Sequence, residues 1–552
     1  MKFISRYLLL TAFILMCHWA PAFAGPQKPL QVETWRVVEI PLTSAKSYAD
    51  PFNDVDVTAK FKCRATTISR PAFWDGGTNW KVRFAPTSDG LWTYTTSASD
   101  TANKGLDGCR GRILARRAAS GPAIFRHGFP RVSNNHRYFV YADGTPFFYL
   151  GDTHWFAMRE RFATSNLPGC PSQFKLEVDT RVEEGFTVYQ SEWMSAHARN
   201  PATPDQEATY NWADGINETS LPGFHNIDRK FAYLADKGMV IANAMAWRFS
   251  IVKYDDAYLR KLARYWSARY GAYPVMWTMA QEVDSVYAKD PPNIDKKWQT
   301  MALALSQSDD YHHPLTAHMC DQSVTVASKS TWRDKPYHTW FAAQLQGGPV
   351  GTKTAADFWT SEPTKPAVAY EAGYENFWST EASNRKQAYA AYLSGFYGFG
   401  YGVAGIWDDS YSCDPPDRGT TYDKNCHVWY DALVRPSGHQ MGYMRAFFET
   451  LDWWKLVPVF DVSSVATVPE PAHVRLASDG PTTVMLLANT TTQSGVLHHL
   501  EPGATYESRW FNPRMGTWQA PIRATADTSG NLALPDKPDN QDWLIVTRQD
   551  HH

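Results

Sequence analysis

The sequence has little net charge and few cysteines. Its 54 Lys and Arg stand against 56 Asp and Glu, a formal charge of −2, so no basic face is on offer for a nucleic acid. There is no C-x-x-C motif, no clustered His pattern, no phosphate-binding glycine loop and no Ser-His-Asp grouping. Zinc and nucleotide chemistry are therefore not expected, and no cofactor or metal is. Past the N-terminus no apolar run is long enough to span a bilayer, so no membrane anchor is expected. Repeats, heptads and low-complexity tracts are missing too.

What the chain does have is 552 residues, 43% hydrophobic and 20% charged, which is a globular composition too long for one ordinary core. Aromatic residues reach 14%, with 23 Trp, 28 Tyr and 28 Phe. Rings in such number suit large cores, and they also suit clefts that stack against sugar rings. The stretch "MKFISRYLLLTAFILMCHWAPAFAG" places Lys2 and Arg6 before an apolar run and an Ala-Phe-Ala site, which reads as a secretory leader cut after Ala24. A periplasmic or extracellular protein is expected. Six cysteines follow the leader, an even count that invites disulfides in an oxidising compartment. Cys413–Cys426 flank one loop, Cys63–Cys109 share the N-terminal region, and Cys170–Cys320 remain. Asp414, Asp417 and Asp423 sit in the Cys413–Cys426 loop and read as solvated acids before calcium ligands.

Three regions follow the leader. Residues 25–128 contain short β runs such as "DVDVTAKFKC" and "GLWTYTTSA" between turn residues, which predicts a small β-sandwich. From 129 to 457, eight strand-like runs alternate with helical stretches such as "DDAYLRKLARYWSARYG", predicting an α/β fold, a (β/α)8 TIM barrel. Residues 458–552 return to β runs and predict a second β-sandwich, with packing against the barrel as the first expectation for both flanks.

Barrels of this kind carry their chemistry at the C-terminal strand ends. In strand order those ends read Asp152, Glu192 with Trp193, Trp247 with Arg248, Glu282, His318, Trp340, Glu371, and Trp407 with Asp408. Glu282 closes "PVMWTMAQE", a run buried enough to be a central strand that nevertheless ends on a carboxylate. Glu371 closes the seventh run, almost across the barrel from it. Two facing carboxylates are what glycoside hydrolysis needs. The fourth-and-seventh layout resembles that of many retaining barrel glycosidases, so Glu282 is assigned as acid/base and Glu371 as nucleophile, with burial beside Trp277 or Trp247 expected to keep Glu282 protonated. Of Trp155, Trp193, Trp247, Trp340 and Trp407, two or three are expected to line sugar subsites and the rest to pack. His154, His318 and His338 read first as scaffold, and Asp408 and Asp409 as loop acids or ligands alike. The alternatives are a silent glycan-binding protein and a polysaccharide lyase.

The motifs "YLGDTHWFAMRERF", "RVEEGFTVYQSEW", "NIDRKFAYLADKGMVIANAMAW", "YWSARYGAYPVMWTMAQE", "KPAVAYEAGYEN" and "GFGYGVAGIW" resemble, in order, those of the apiosidase-like glycoside hydrolase barrels. "PAFWDGGTNWKVRFAPTSDGLWTYTT" resembles the Ig-like domain often placed before them. "RWFNPRMGTW" and "DWLIVTR" resemble a following sandwich sometimes labelled collagen-binding. The resemblance implies that Asp152 binds sugar hydroxyls and that Glu371 is the nucleophile, supported by Tyr374 and Glu375. Members of that family typically end the fourth strand on a glycine pair and an Asp. Here Ala280-Gln281-Glu282 stands instead, which points to a sugar other than apiose. A polysaccharide or oligosaccharide is the expected partner, for a monomer or small homo-oligomer.

Overall fold

The structure, a computed structural model, describes residues 28–194, 215–247, 251–283, 291–319, 331–345, 350–408 and 427–550, with the side chains of residues 247 and 291 left out. The predicted Cys413–Cys426 loop, Cys320, Asp409 and Arg248 lie outside the described residues, as does the predicted leader.

Eight parallel strands form the centre: β1 Tyr149–His154, β2 Val188–Glu192, β3 Val240–Trp247, β4 Val275–Gln281, β5 His318–Met319, β6 Phe341–Gln344, β7 Ala367–Glu371 and β8 Gly398–Tyr401. They neighbour one another in the order β4-β3-β2-β1-β8-β7-β6-β5. A parallel bridge between Trp277 and Leu315 joins the two ends and closes the ring. Strands covered on both faces have no wet side, which is why they read as unbroken apolar runs. Helices α1 Gln173–Glu183, α2 Leu221–Asp236, α3 Asp256–Tyr270, α4 Pro291–Gln307, α5 Thr352–Trp359, α6 Glu381–Leu393, α7 Trp429–Leu433 and α8 Pro436–Glu449 accompany the strands. Several begin where a side chain can accept an orphan amide: Ser172 from Lys175, Asp255 from Tyr258 and Thr380 from Ser383.

The N-terminal region folds as two sheets. One runs Leu30–Glu33, Arg110–Arg116, Gly90–Ala98, Val57–Cys63 and Thr66–Pro71; the other holds Val38–Thr43, Asn79–Phe84 and Phe73–Trp74. It is locked to the barrel by charge. Arg83 and Arg269 of α3 both grip Asp228 of α2, at 2.8 and 2.7 Å, and the two arginines are almost wholly buried. The C-terminal region is also two-layered, with its own apolar cluster around Trp510 and Trp543. Asp542 accepts from Nε and Nη2 of Arg385 on α6, each at 2.8 Å.

Cys63 and Cys109 are free thiols, contrary to the expected pairing, and Cys170 is free as well. Register explains the first pair. Strand Gly90–Ala98 lies between theirs, Lys62 pairs with Thr93, and Cys109 bonds Thr96. Two inter-strand spacings and several residues of offset put the Cα atoms well beyond the roughly 7 Å a disulfide spans.

Candidate active site

Two of the irregularities in strand pairing, one on β7 and one on β4, build the site. Along β7 the register steps from Ala343–Ala369 to Gln344–Glu371, so Tyr370 is an extra residue. Along β3 and β4 it steps from Asn243–Trp277 to Ala244–Met279, so Thr278 is extra. Bulges re-aim side chains and gather beside active sites. Here each one precedes a carboxylate. On the β4 side Met279 and Glu282 are both left-handed, at φ 51° and 50°, a costly conformation for residues with side chains.

Glu371 ends β7 buried, at 6% exposure. The Tyr374 hydroxyl and the Gln344 amide both hydrogen-bond its carboxyl, and His318 Nε2 lies 3.2 Å from Oε2. Gln344 Nε2 also reaches Glu282 Oε1 at 3.4 Å. One amide thus touches both carboxyls, so their nearest oxygens are no more than roughly 7 Å apart, two hydrogen-bond lengths. Burial, then the charge of Glu282, pushes the Glu371 carboxyl up to about 8. Glu282 is half-buried, and of the two rings expected beside it the Trp247 side chain lies outside the described residues while Trp277 is turned elsewhere. Trp277 points outward to Asp309, with its indole nitrogen 2.9 Å from Oδ2.

Behind the carboxyls stands an aromatic wall. Trp155 donates its indole N–H to Tyr374 Oη at 2.5 Å and stacks on His318 at 5.7 Å. Tyr374 lies parallel to Trp407 at 4.9 Å and to Trp378 at 5.2 Å. Below them Gln190 fills the barrel axis. It accepts from the Tyr149 hydroxyl at 3.0 Å and donates to Thr153 Oγ1 at 3.1 Å and to the carbonyl of the bulged Tyr370 at 2.9 Å. Only glycine leaves room for that amide: a Cβ on Gly151 would meet it at 2.5 Å, and one on Gly400 would meet the Tyr370 carbonyl at 2.2 Å.

The expected site residues divide accordingly. Glu282, Glu371, Trp155 and Tyr374 come together at the mouth, with Trp407 buried behind Tyr374. Asp152 does not join them. Alternation along β1 turns Tyr149, Gly151 and Thr153 inward and Asp152 and His154 outward. There Asp152 meets Arg181 at 2.6 Å and His154 at 3.1 Å, fully buried between barrel and α1. Burial works against the His154 charge, but Glu160 and Asp152 outweigh it and push the imidazolium up to about 10. His154, Glu160 and Glu177 bring three ligand atoms within 4.8 Å of one another, and His154 Nδ1 bonds Glu160 at 2.6 Å.

Trp193 likewise faces outward and packs on Phe231 of α2 at 4.9 Å, while Glu192 stays buried on the inward face. Trp340 was read as the end of β6 but precedes its first residue. It is buried at the opposite end of the barrel against Phe139 and Tyr149. Glu375 turns away from the mouth to accept from Tyr401 at 2.9 Å and from Ser437. Asp408 is a buried loop acid that accepts from the Gly405 amide at 2.8 Å. His338 is buried scaffold beside Thr316.

Sequence reasoning missed Gln344 and Trp378, and gave His318 too small a part. Gln344 carried the same signal as Glu282: "FAAQ" is an apolar run ending on a polar side chain. Trp378, in a loop, carried none.

Residues 133–455 match the model of the apiosidase-like catalytic domain, and residues 31–99 match a domain of unknown function, DUF5060. No curated protein matches the chain. Among solved structures, one described as a candidate glycoside hydrolase from Bacteroides vulgatus ATCC 8482 is 17% identical, with TM-score 0.70 over 94% of this chain and 100% of that one. A glycoside hydrolase family 5 protein from the same organism is 16% identical, with TM-score 0.63 over 78% and 95%. A third, a glycoside hydrolase, is 18% identical, with TM-score 0.61 over 78% and 98%. At these identities the structures share the fold.

Proposed function

Because the chain belongs to the apiosidase-like family and is a glycosidase, we propose that it cleaves a polysaccharide or oligosaccharide by retaining double displacement between Glu371 and Glu282. The observation that carries this reading is the Gln344 amide touching both carboxyls. An upper bound of roughly 7 Å between their nearest oxygens is compatible with the 5–5.5 Å of retaining pairs.

In the first step the Glu371 carboxylate attacks the anomeric carbon. The bond to the leaving oxygen breaks, and that oxygen takes the Glu282 proton. The product is a glycosyl ester on Glu371. In the second step Glu282, now a carboxylate, removes a proton from water, and the hydroxide oxygen displaces Glu371. The donors on Glu371, Tyr374 and Gln344, favour the charged form that must attack and leave. Tyr374 is itself fixed by Trp155. The productive arrangement has the proton on Glu282 and the charge on Glu371.

The reversed assignment, Glu371 as acid and Glu282 as nucleophile, has one observation in its favour: burial raises Glu371. Trapping the intermediate separates the two. Export through the predicted leader is part of the same proposal, since a polysaccharide would be met outside the cytoplasm. Among the described residues no helix is long and apolar enough to cross a membrane. The function is tested by product analysis on plant, algal and bacterial polysaccharides, comparing wild type with Glu371→Gln and Glu282→Gln. Sugar release by wild type and its loss in both variants supports the reading. Release undiminished in either variant removes that residue from the mechanism.

A further inference from the structure

Among the described residues Trp378 is the only exposed Phe, Tyr or Trp, at 43%. It lies in the loop between β7 and α6, on the face of a barrel where ligands bind. One exposed apolar side chain is ordinary by itself. This one is tied to the chemistry. Its ring lies parallel to that of Tyr374, at 5.2 Å and 15°, and the Tyr374 hydroxyl bonds Glu371. Phe377 packs against Trp378 at 4.5 Å and against Trp407 at 5.7 Å, so the indole is braced from below. Asn384 and Ser379 hold the start of α6 next to it through a 3.1 Å hydrogen bond.

We propose that Trp378 is a stacking platform for the sugar unit adjoining the one that Glu371 attacks, and that the enzyme therefore prefers a chain of sugars to a single glycoside. The electron-rich face of an indole attracts the C–H groups that one face of a sugar ring presents. Tyr374 sets that face at a fixed distance from the nucleophile, so the platform selects both for a second ring and for its tilt. The inference rests on the glycosidase reading of this site, yet its test does not need turnover.

Oligosaccharides graded in length, from the same plant, algal and bacterial sources, are titrated onto the Glu371→Gln protein by calorimetry. The measurement is repeated with Trp378→Ala and Trp378→Tyr in that background. Affinity for the longer sugars is expected to fall roughly three- to tenfold with Ala, the worth of one aromatic stack, and to return with Tyr. Affinity for the matching monosaccharide should move less. A purely structural role would lower both affinities together, and near-ultraviolet circular dichroism would show the aromatic wall disturbed. Equal affinities in all three proteins, loss that Tyr does not restore, or no binding at all overturns the platform. Binding that depends on Trp378 in a protein whose wild type releases no sugar upholds the platform and overturns the hydrolytic reading.

Discussion

Replacing Glu282 by Gln removes the charge that helps to push Glu371 up to about 8. With nearest oxygens no more than roughly 7 Å apart and an effective dielectric of about 20, the repulsion is at least about 2 kcal/mol. That corresponds to roughly 1.5–2 pH in the ionisation of Glu371. Burial, the larger cause, remains, so Glu371 should titrate near 6 in the variant and not at its solution value. The assay is the pH dependence of kcat/KM, for wild type on an oligosaccharide whose leaving oxygen needs the Glu282 proton, and for the variant on an activated aryl glycoside of the released sugar, whose leaving group needs no acid. Wild type should show a bell whose alkaline limb lies near pH 8, where the pair loses its last proton. Glu282→Gln should show no alkaline limb, only a rise to a plateau with its midpoint near pH 6. A wild-type profile flat through pH 8, or an alkaline limb that survives the substitution unchanged, refutes the coupling. No turnover of the aryl glycoside by the variant would instead mark Glu282 as the nucleophile.

Glu371→Gln should stabilise the fold at neutral pH. A carboxyl raised from 4.5 to about 8 is protonated in both states in acid and costs stability as pH climbs between those values, up to about 3 kcal/mol at pH 7. Calorimetry should therefore find the variant's Tm above wild type at pH 7 and equal to it near pH 4. Asp152→Asn strands Arg181 and His154 without their shared counter-charge, so chemical denaturation should register a loss of about 3–5 kcal/mol while KM of the folded protein stays put. The KM rise expected of a sugar ligand would show this placement to be wrong. Gln190→Leu releases the Tyr370 carbonyl at the bulge that aims Glu371, and kcat should drop about a hundredfold with KM little moved. Intact kcat would mean that the bulge holds itself.

The barrel was legible because strands buried on both faces leave runs too apolar to be anything else, and the two decisive carboxylates were legible because they interrupt such runs. Direction within a strand was not. Asp152 and Trp193 sit at strand ends, as expected, but alternation sends them outward to α1 and α2, and only the register fixes which parity faces the mouth. At Thr278 and Tyr370 the parity itself breaks, through pairing with neighbours far along the chain. A boundary misjudged by a few residues moved Trp340 from one end of the barrel to the other. The Cys63–Cys109 pairing failed for a related reason, since proximity in sequence says nothing of a strand lying between. Gln344 and Trp378 act through what they touch, Glu282 in one case and Tyr374 in the other. No spacing rule announces contacts between separate βα units.

The central claim, that Glu371 attacks and Glu282 delivers the proton, meets its most direct test in a trapped intermediate. Wild type and Glu282→Gln would be incubated with a fluorinated, activated glycoside of the released sugar, then digested and mapped by mass spectrometry. The account predicts one glycosyl adduct on the peptide carrying Glu371. An adduct on Glu282 would reverse the roles, and the absence of any adduct, with products of inverted configuration, would contradict double displacement.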